Sequence, residues 1–148
     1  MASRLLSAGW IIMLVTGIVI LLFGFIFTLS PDFMNTMGYE SYTGQSWSAF
    51  VSATPKTVDF LLLTAGTMFG MHLLVMAVLF ISITVTSFRM GQKWAWYALL
   101  IASTLGWVGD TAALLVMGLV PVAISSLVFL SLAYIALGIS AKPILSKK

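Results

Sequence analysis

Between Asp59 and Arg89 the chain reads FLLLTAGTMFGMHLLVMAVLFISITVTSF, with no formal charge anywhere in residues 60–88. An α-helix rises about 1.5 Å per residue and bilayer hydrocarbon is about 30 Å thick, so roughly 20 apolar residues suffice to cross it. This run is longer than that. A helix without a polar face has nothing to offer water, so the run predicts a helix whose solvent is lipid.

The same pattern recurs on either side. No charge falls between Arg4 and Asp32, or between Asp110 and Lys142. Hydrophobic residues make up 61% of the 148, charged residues 7%, and mean hydropathy is +1.12. A soluble domain is about 45–50% apolar and about 25% charged, so a water-soluble globular fold is excluded. The spans expected are residues 5–29, 58–88, 94–118 and 121–141, with an outer loop over 30–57, all in a single transmembrane domain covering 1–148. The first is too long for a signal-peptide core of about 7–15 residues and is read as retained. The second exceeds what a bilayer needs and must tilt, bend or project. Pro121 suits the first turn of the fourth, where its missing N–H costs nothing. The links at 89–93 and 118–120 are short, which predicts antiparallel neighbours. The fold class expected is all-α: a polytopic membrane protein with four transmembrane helices in an antiparallel bundle.

Charge bias gives this bundle a direction. Arg4, Arg89, Lys93, Lys142, Lys147 and Lys148 lie at the amino end, in the second link or in the tail. With an even number of spans these places share one side, while Lys56 lies on the other with Asp32, Glu40 and Asp59. Basic residues hold loops in the cytoplasm. Both termini are therefore expected to be cytoplasmic and the long loop outside, most simply in a plasma (inner) membrane. The same rule accounts for the net charge of +3. No basic patch has the density that nucleic acid requires.

Within the loop, Ser30-Pro31-Asp32 reads as a helix start, with a capping hydroxyl, a first-turn proline and an acid at the positive dipole end. Gly38 reads as its stop. Phe33, Met34 and Met37 share one face, and Trp47, Phe50 and Val51 make a second, with Tyr39 and Tyr42 between them. The expectation is one or two short amphipathic helices anchored by aromatic rings at the headgroup layer. At the opposite interface, Trp94, Trp96 and Tyr97 stand beside Arg89 and Lys93. The pattern Arg89-x-Gly91-x-x-Trp94-Ala95-Trp96-Tyr97, with the segment from Gly24 through Pro31 and then Gly38, resembles a group of small four-helix membrane proteins that remain uncharacterised. The resemblance covers about a fifth of the chain. It implies a four-helix fold and carries no activity, substrate or site.

Two ionisable residues fall inside spans, His72 and Asp110. A carboxylate at mid-helix costs about 2.5–3.5 kcal/mol on insertion scales, so Asp110 needs protonation, a partner or water. On helical spacing it shares a face with Ser103, Gly106, Trp107, Ala113, Leu114 and Met117. The small members predict close packing against another helix, with Asp110 turned inward. His72 shares its face with Ala65, Met68, Phe69, Val75, Met76 and Leu79, whereas Gly66 and Gly70 form a small-xxx-small pair on nearly the opposite side. Ser131, Tyr134 and Gly138 mark the expected inward face of the fourth helix.

His72 and Asp110 are the candidate ligand or ion residues; Gly66, Gly70, Ser103 and Gly106 are the candidate packing residues. One His and one Asp fall short of the three or four ligands of a zinc site. Cys is absent, and the nine Met are dispersed, as suits core filling. No metal, no cofactor and no catalytic residue is expected, since no nucleophile–base pair or phosphate loop is present. The preferred reading is a non-catalytic subunit, assembly factor or structural component, with the lipid bilayer and either a second copy or a larger membrane complex as partners. A proton- or cation-linked transporter or channel subunit built on Asp110 and His72 is the second reading. An intramembrane enzyme or apolar-ligand binder, with His72 as acid/base, is the third.

Overall fold

The computed structural model describes residues 2–116 and 120–146. Outside the described residues lie the expected end of the third span at Gly118, Met117 of the Asp110 face, and Lys147 and Lys148. The side chain of Met34 is outside as well.

The described chain is helical and contains no strand. Helix α1 runs Ala2–Leu29, α2 Pro31–Thr43, α3 Trp47–Ala53 and α4 Lys56–Ile83; after a π-helical segment Thr84–Phe88 come α5 Lys93–Ser103, a second π segment Thr104–Val108, α6 Gly109–Val116 and α7 Val120–Leu145. Four continuous stretches are long and apolar enough to cross a membrane: Arg4–Leu29, Lys56–Phe88, Lys93–Val116 and Val122–Leu145, with mean hydropathy 2.8, 2.3, 1.7 and 2.3. Between 17% and 28% of each is buried inside the chain. So much exposed hydrocarbon is tolerable only in lipid.

Local chemistry sets the helix ends. Ser30 precedes a proline, which pushes it out of the α region (φ −136, ψ 68) and stops α1. Its hydroxyl makes no capping bond; the Ser30 carbonyl instead accepts from Phe33 N at 3.0 Å. Gly38 does not end α2. The helix runs through it to Gly44, whose φ of +68 closes the last turn with a bond to Glu40 O at 3.0 Å. Gly inside a helix costs only about 1 kcal/mol, and the contacts of Tyr39 and Glu40 with the next helix, described below, offset it. Thr54, extended before Pro55, ends α3. Gly91 (φ +73) turns the chain between the first π segment and α5. α7 was expected to stop near Ala141 but continues to Leu145 with Pro143 inside it. Pro143 forfeits one backbone bond near a helix end, while Ile144 beyond it is fully buried.

The chain forms two compact units, residues 1–19 with 78–148, and residues 20–77. In the first, Met13, Phe80, Phe88, Leu99, Leu137 and Ile144 are buried around Ala95, Ala133 and Ala136. A Cβ on Gly9 would lie 2.9 Å from Ala136 O, which shows how closely α1 and α7 approach. The Arg89 guanidinium stands 5.1 Å over the Trp10 ring. Trp96 Nε1 donates to Leu137 O at 2.9 Å.

In the second unit the glycines of α4 meet the end of α1. A Cβ on Gly70 would fall 2.7 Å from the Phe27 carbonyl carbon, and one on Gly66 would be 3.1 Å from Pro31 Cβ. Gly24 of α1 meets Leu74 of α4 in the same manner, at 2.9 Å. The small pair on α4 is thus occupied by a neighbour within the same chain. Phe27 packs on Phe69 and Phe33, with ring centroids 6.0 and 6.3 Å apart.

Candidate functional site

In the 20–77 unit, α2 and α3 are joined through Trp47, which is 7% exposed and the one buried residue of its helix. Its backbone N–H donates to Glu40 Oε1 at 3.0 Å and its indole N–H to Asp32 Oδ1 at 3.2 Å. The ring meets Phe50 and Tyr39 at 5.4 and 5.6 Å, and Asn35 Nδ2 donates to Leu62 O of α4 at 3.4 Å. A groove of about 300 Å³ opens between Asn35, Tyr39, Trp47, Phe50 and Leu62. Two acids read from the sequence as a dipole partner and a loop charge therefore serve as clasps for one tryptophan.

His72 is exposed on α4 among Met68, Met71, Val75, Met76 and Leu79, all exposed themselves. Its Nδ1 lies 2.7 Å from the Met68 carbonyl. A carbonyl can only accept, so Nδ1 carries the hydrogen; in the neutral ring Nε2 is then a lone-pair acceptor. The residue read as a candidate ligand or acid/base group is on an exposed apolar face.

Asp110 belongs to the other unit. It is half-buried at the start of α6, and its Oδ2 accepts a short hydrogen bond from Ser126 Oγ of α7. Ser126 is 3% exposed. The surrounding contacts between the third and fourth spans run in opposite order along the two helices. Trp96 meets Leu137, Thr104 Oγ1 lies 2.9 Å from Tyr134 Oη, Trp107 stacks on Phe129 at 5.0 Å, and Asp110 meets Ser126. His72 and Asp110 thus each have a separate partner, one in its own helix and one in the adjoining span.

The second π segment changes which residues share a face with Asp110. A π turn holds one residue more than an α turn. Across Thr104–Val108 that extra residue brings Ser103 into line with Thr111 rather than with Asp110. The exposures agree: Ser103 is 1% and Thr111 7% exposed, whereas Gly106 and Asp110 are intermediate. The Ser103 and Thr111 hydroxyls are buried and bond to nothing.

The sequence reading missed Ser126, Thr111 and the clasped Trp47. The signal available for Ser126 was a second polar residue near the start of the fourth span, opposite the end of the third. Nothing in residue spacing announces a π segment. Among the described residues no three His, Cys, Asp or Glu side chains gather as a metal site would require. No family model, curated protein or solved structure matches the chain.

Proposed function

We propose that the protein is a non-catalytic subunit of a membrane assembly, and that the His72 face of α4 is where a partner's membrane span docks. In this reading the four spans form an antiparallel bundle with both termini cytoplasmic, in a plasma membrane, and α2 and α3 lie at the outer surface. The distribution of Arg and Lys supports that orientation.

The observation that carries the proposal is the placement of His72. An imidazole acceptor on an exposed apolar stripe has no donor in lipid, and a polar group in hydrocarbon is costly without one. A neighbouring span with a hydroxyl, amide or indole N–H at that depth would supply the donor and cover the methionines, which adapt to varied surfaces. The use of Asp110 within the fold points the same way, since its hydrogen bond joins two spans.

Photo-crosslinking in native membranes tests this. A probe at Val75 should capture one protein, recovered in constant ratio after mild-detergent purification, and His72→Leu should reduce that capture. A probe at Leu105, 74% exposed on another span, should capture lipid. Capture of lipid alone from Val75, with the chain purifying as a lone monomer, would refute the proposal.

A further inference from the structure

Serine and threonine hydroxyls in this protein follow a common rule. Thr16, Thr64, Thr84, Thr104, Ser131 and Ser140 each donate to the carbonyl four residues earlier, at 2.7–2.9 Å. This is the usual way for a hydroxyl to satisfy itself in a spanning helix. Thr111 is buried and does not do so: its Oγ1 has no partner, not even the Trp107 carbonyl. A buried hydroxyl without a partner is costly.

Its neighbour Asp110 presents a complementary deficit. Among the described residues no lysine, arginine or histidine pairs with this carboxylate; its partner is the neutral Ser126 hydroxyl. Both features lie in one interface, because α6 packs against α7. Thr111 is buried and Ser126 is 3% exposed. A carboxyl group without a charged partner therefore stands one residue from a hydroxyl with both lone pairs unused.

The donors present are a carboxylate and two hydroxyls. Oxygen donors suit hard cations. A single carboxylate without further acids suits a monovalent ion better than calcium, which takes 6–8 oxygens and typically several carboxylates. We propose that Asp110, Thr111 and Ser126 bind a monovalent alkali cation at the junction of the third and fourth spans, with sodium as the probe ion. The cation balances the carboxylate, takes the idle lone pairs of Thr111, and ties α6 to α7. Asp110 is only half-buried and lies within two turns of the third span's end at Val116, where an ion can reach it from the membrane surface. This proposal does not depend on the partner reading of the His72 face.

Thermal unfolding of the detergent-solubilised full chain, in NaCl against choline chloride at equal ionic strength, provides the test. Sodium should raise the melting temperature with saturation. Asp110→Asn should abolish the response, and Thr111→Val should raise the half-saturating sodium concentration by about tenfold or more, as loss of a ligand-sphere group does elsewhere. Thr111→Ser should restore it. Without sodium, Thr111→Val should be at least as stable as the parent, because it removes an unpaired hydroxyl. That readout separates a lost ligand from a damaged fold. Ser103→Ala, which removes the other idle hydroxyl two turns away, should leave the sodium response unchanged. Equal melting in the two salts for the parent would overturn the proposal, as would an undiminished response in Thr111→Val or Asp110→Asn.

Discussion

Replacing Gly70 with Ala adds one methyl group at the tightest approach between α1 and α4 in the 20–77 unit. The new carbon would stand 2.6 Å from Thr28 Oγ1, 2.7 Å from the Phe27 carbonyl carbon, and closer still to Thr28 N. The Thr28 hydroxyl is committed to Gly24 O at 2.7 Å, and helical backbone cannot step aside. The helices must part by at least about 0.8 Å to restore an ordinary 3.4 Å contact even at Thr28 Oγ1, and a gap of about 0.5–1 Å forfeits a quarter to a half of each van der Waals well. The loss extends to Gly66 on Pro31 and Gly24 on Leu74, which share the seam. Overpacking of this kind costs about 1–3 kcal/mol, and the better helix propensity of Ala offsets at most about 1 kcal/mol. Backbone contacts this short put the cost in the upper half of that range, so the net expectation is a destabilisation of about 1–2 kcal/mol. It is read by SDS titration in mixed micelles, with the fluorescence of the five tryptophans as reporter. Gly38→Ala is the matched control: nothing lies within 4 Å of its added carbon, so propensity acts alone and should stabilise by roughly 0.5–1 kcal/mol. If Gly70→Ala unfolds at the same SDS fraction as the parent or a higher one, the close-packed seam is wrong.

Three further outcomes follow from the hydrogen bonds and turns. Ser126→Ala removes the donor to Asp110 and should cost about 0.5–2 kcal/mol, the range for a hydrogen bond between membrane spans, in the same SDS titration; an unchanged midpoint would refute the clasp between spans. Gly44→Ala places a side chain at φ +68, which costs about 1–2 kcal/mol, and should speed protease cleavage between α2 and α3. Trp47→Phe keeps the ring contacts with Phe50 and loses the indole bond to Asp32. Its cleavage between residues 43 and 47 should therefore rise by less than that of Trp47→Ala, and equal rates would show that the Asp32 bond dominates.

Three of the four long helices were legible because one property decides them: an uncharged run longer than a bilayer is thick has no alternative fold in lipid; the third was read from its apolar length despite Asp110. The chain break that rests on backbone geometry at Pro31 was legible too, whereas the one at Pro55 was not read. Where two signals competed, the local one lost. Gly38 looked like a stop, yet Tyr39 and Glu40 beyond it are bound to Phe50 and Trp47, and the turn formed at Gly44. The fourth span was expected to end near Ala141, yet burial of Ile144 carried α7 past it and through Pro143. The histidine face could be drawn from periodicity, but whether that face looks inward depends on which neighbours the helix has. Gly66 and Gly70 already claim the end of α1, and the opposite side was left open.

Helical spacing assumes that every turn holds the same number of residues, and the third span violates that assumption at Thr104–Val108. Upstream of the π segment, Ser103 sits where periodicity puts a packing residue. Downstream the phase has slipped, so that Thr111 takes the buried position and Asp110 turns toward Ser126. A uniform α-helix would have set Asp110 in line with Ser103 and buried it. The slipped helix leaves the carboxylate half-buried, within reach of an ion, and commits the neutral hydroxyl to the interior instead. The π segment is therefore the element that makes Asp110 accessible. Deleting one residue within it should restore α spacing while Thr111, now seven positions after Ser103, keeps its line and its burial. The sodium response should then persist. Loss of that response in the deletion variant would sever the link between the π turn and the site.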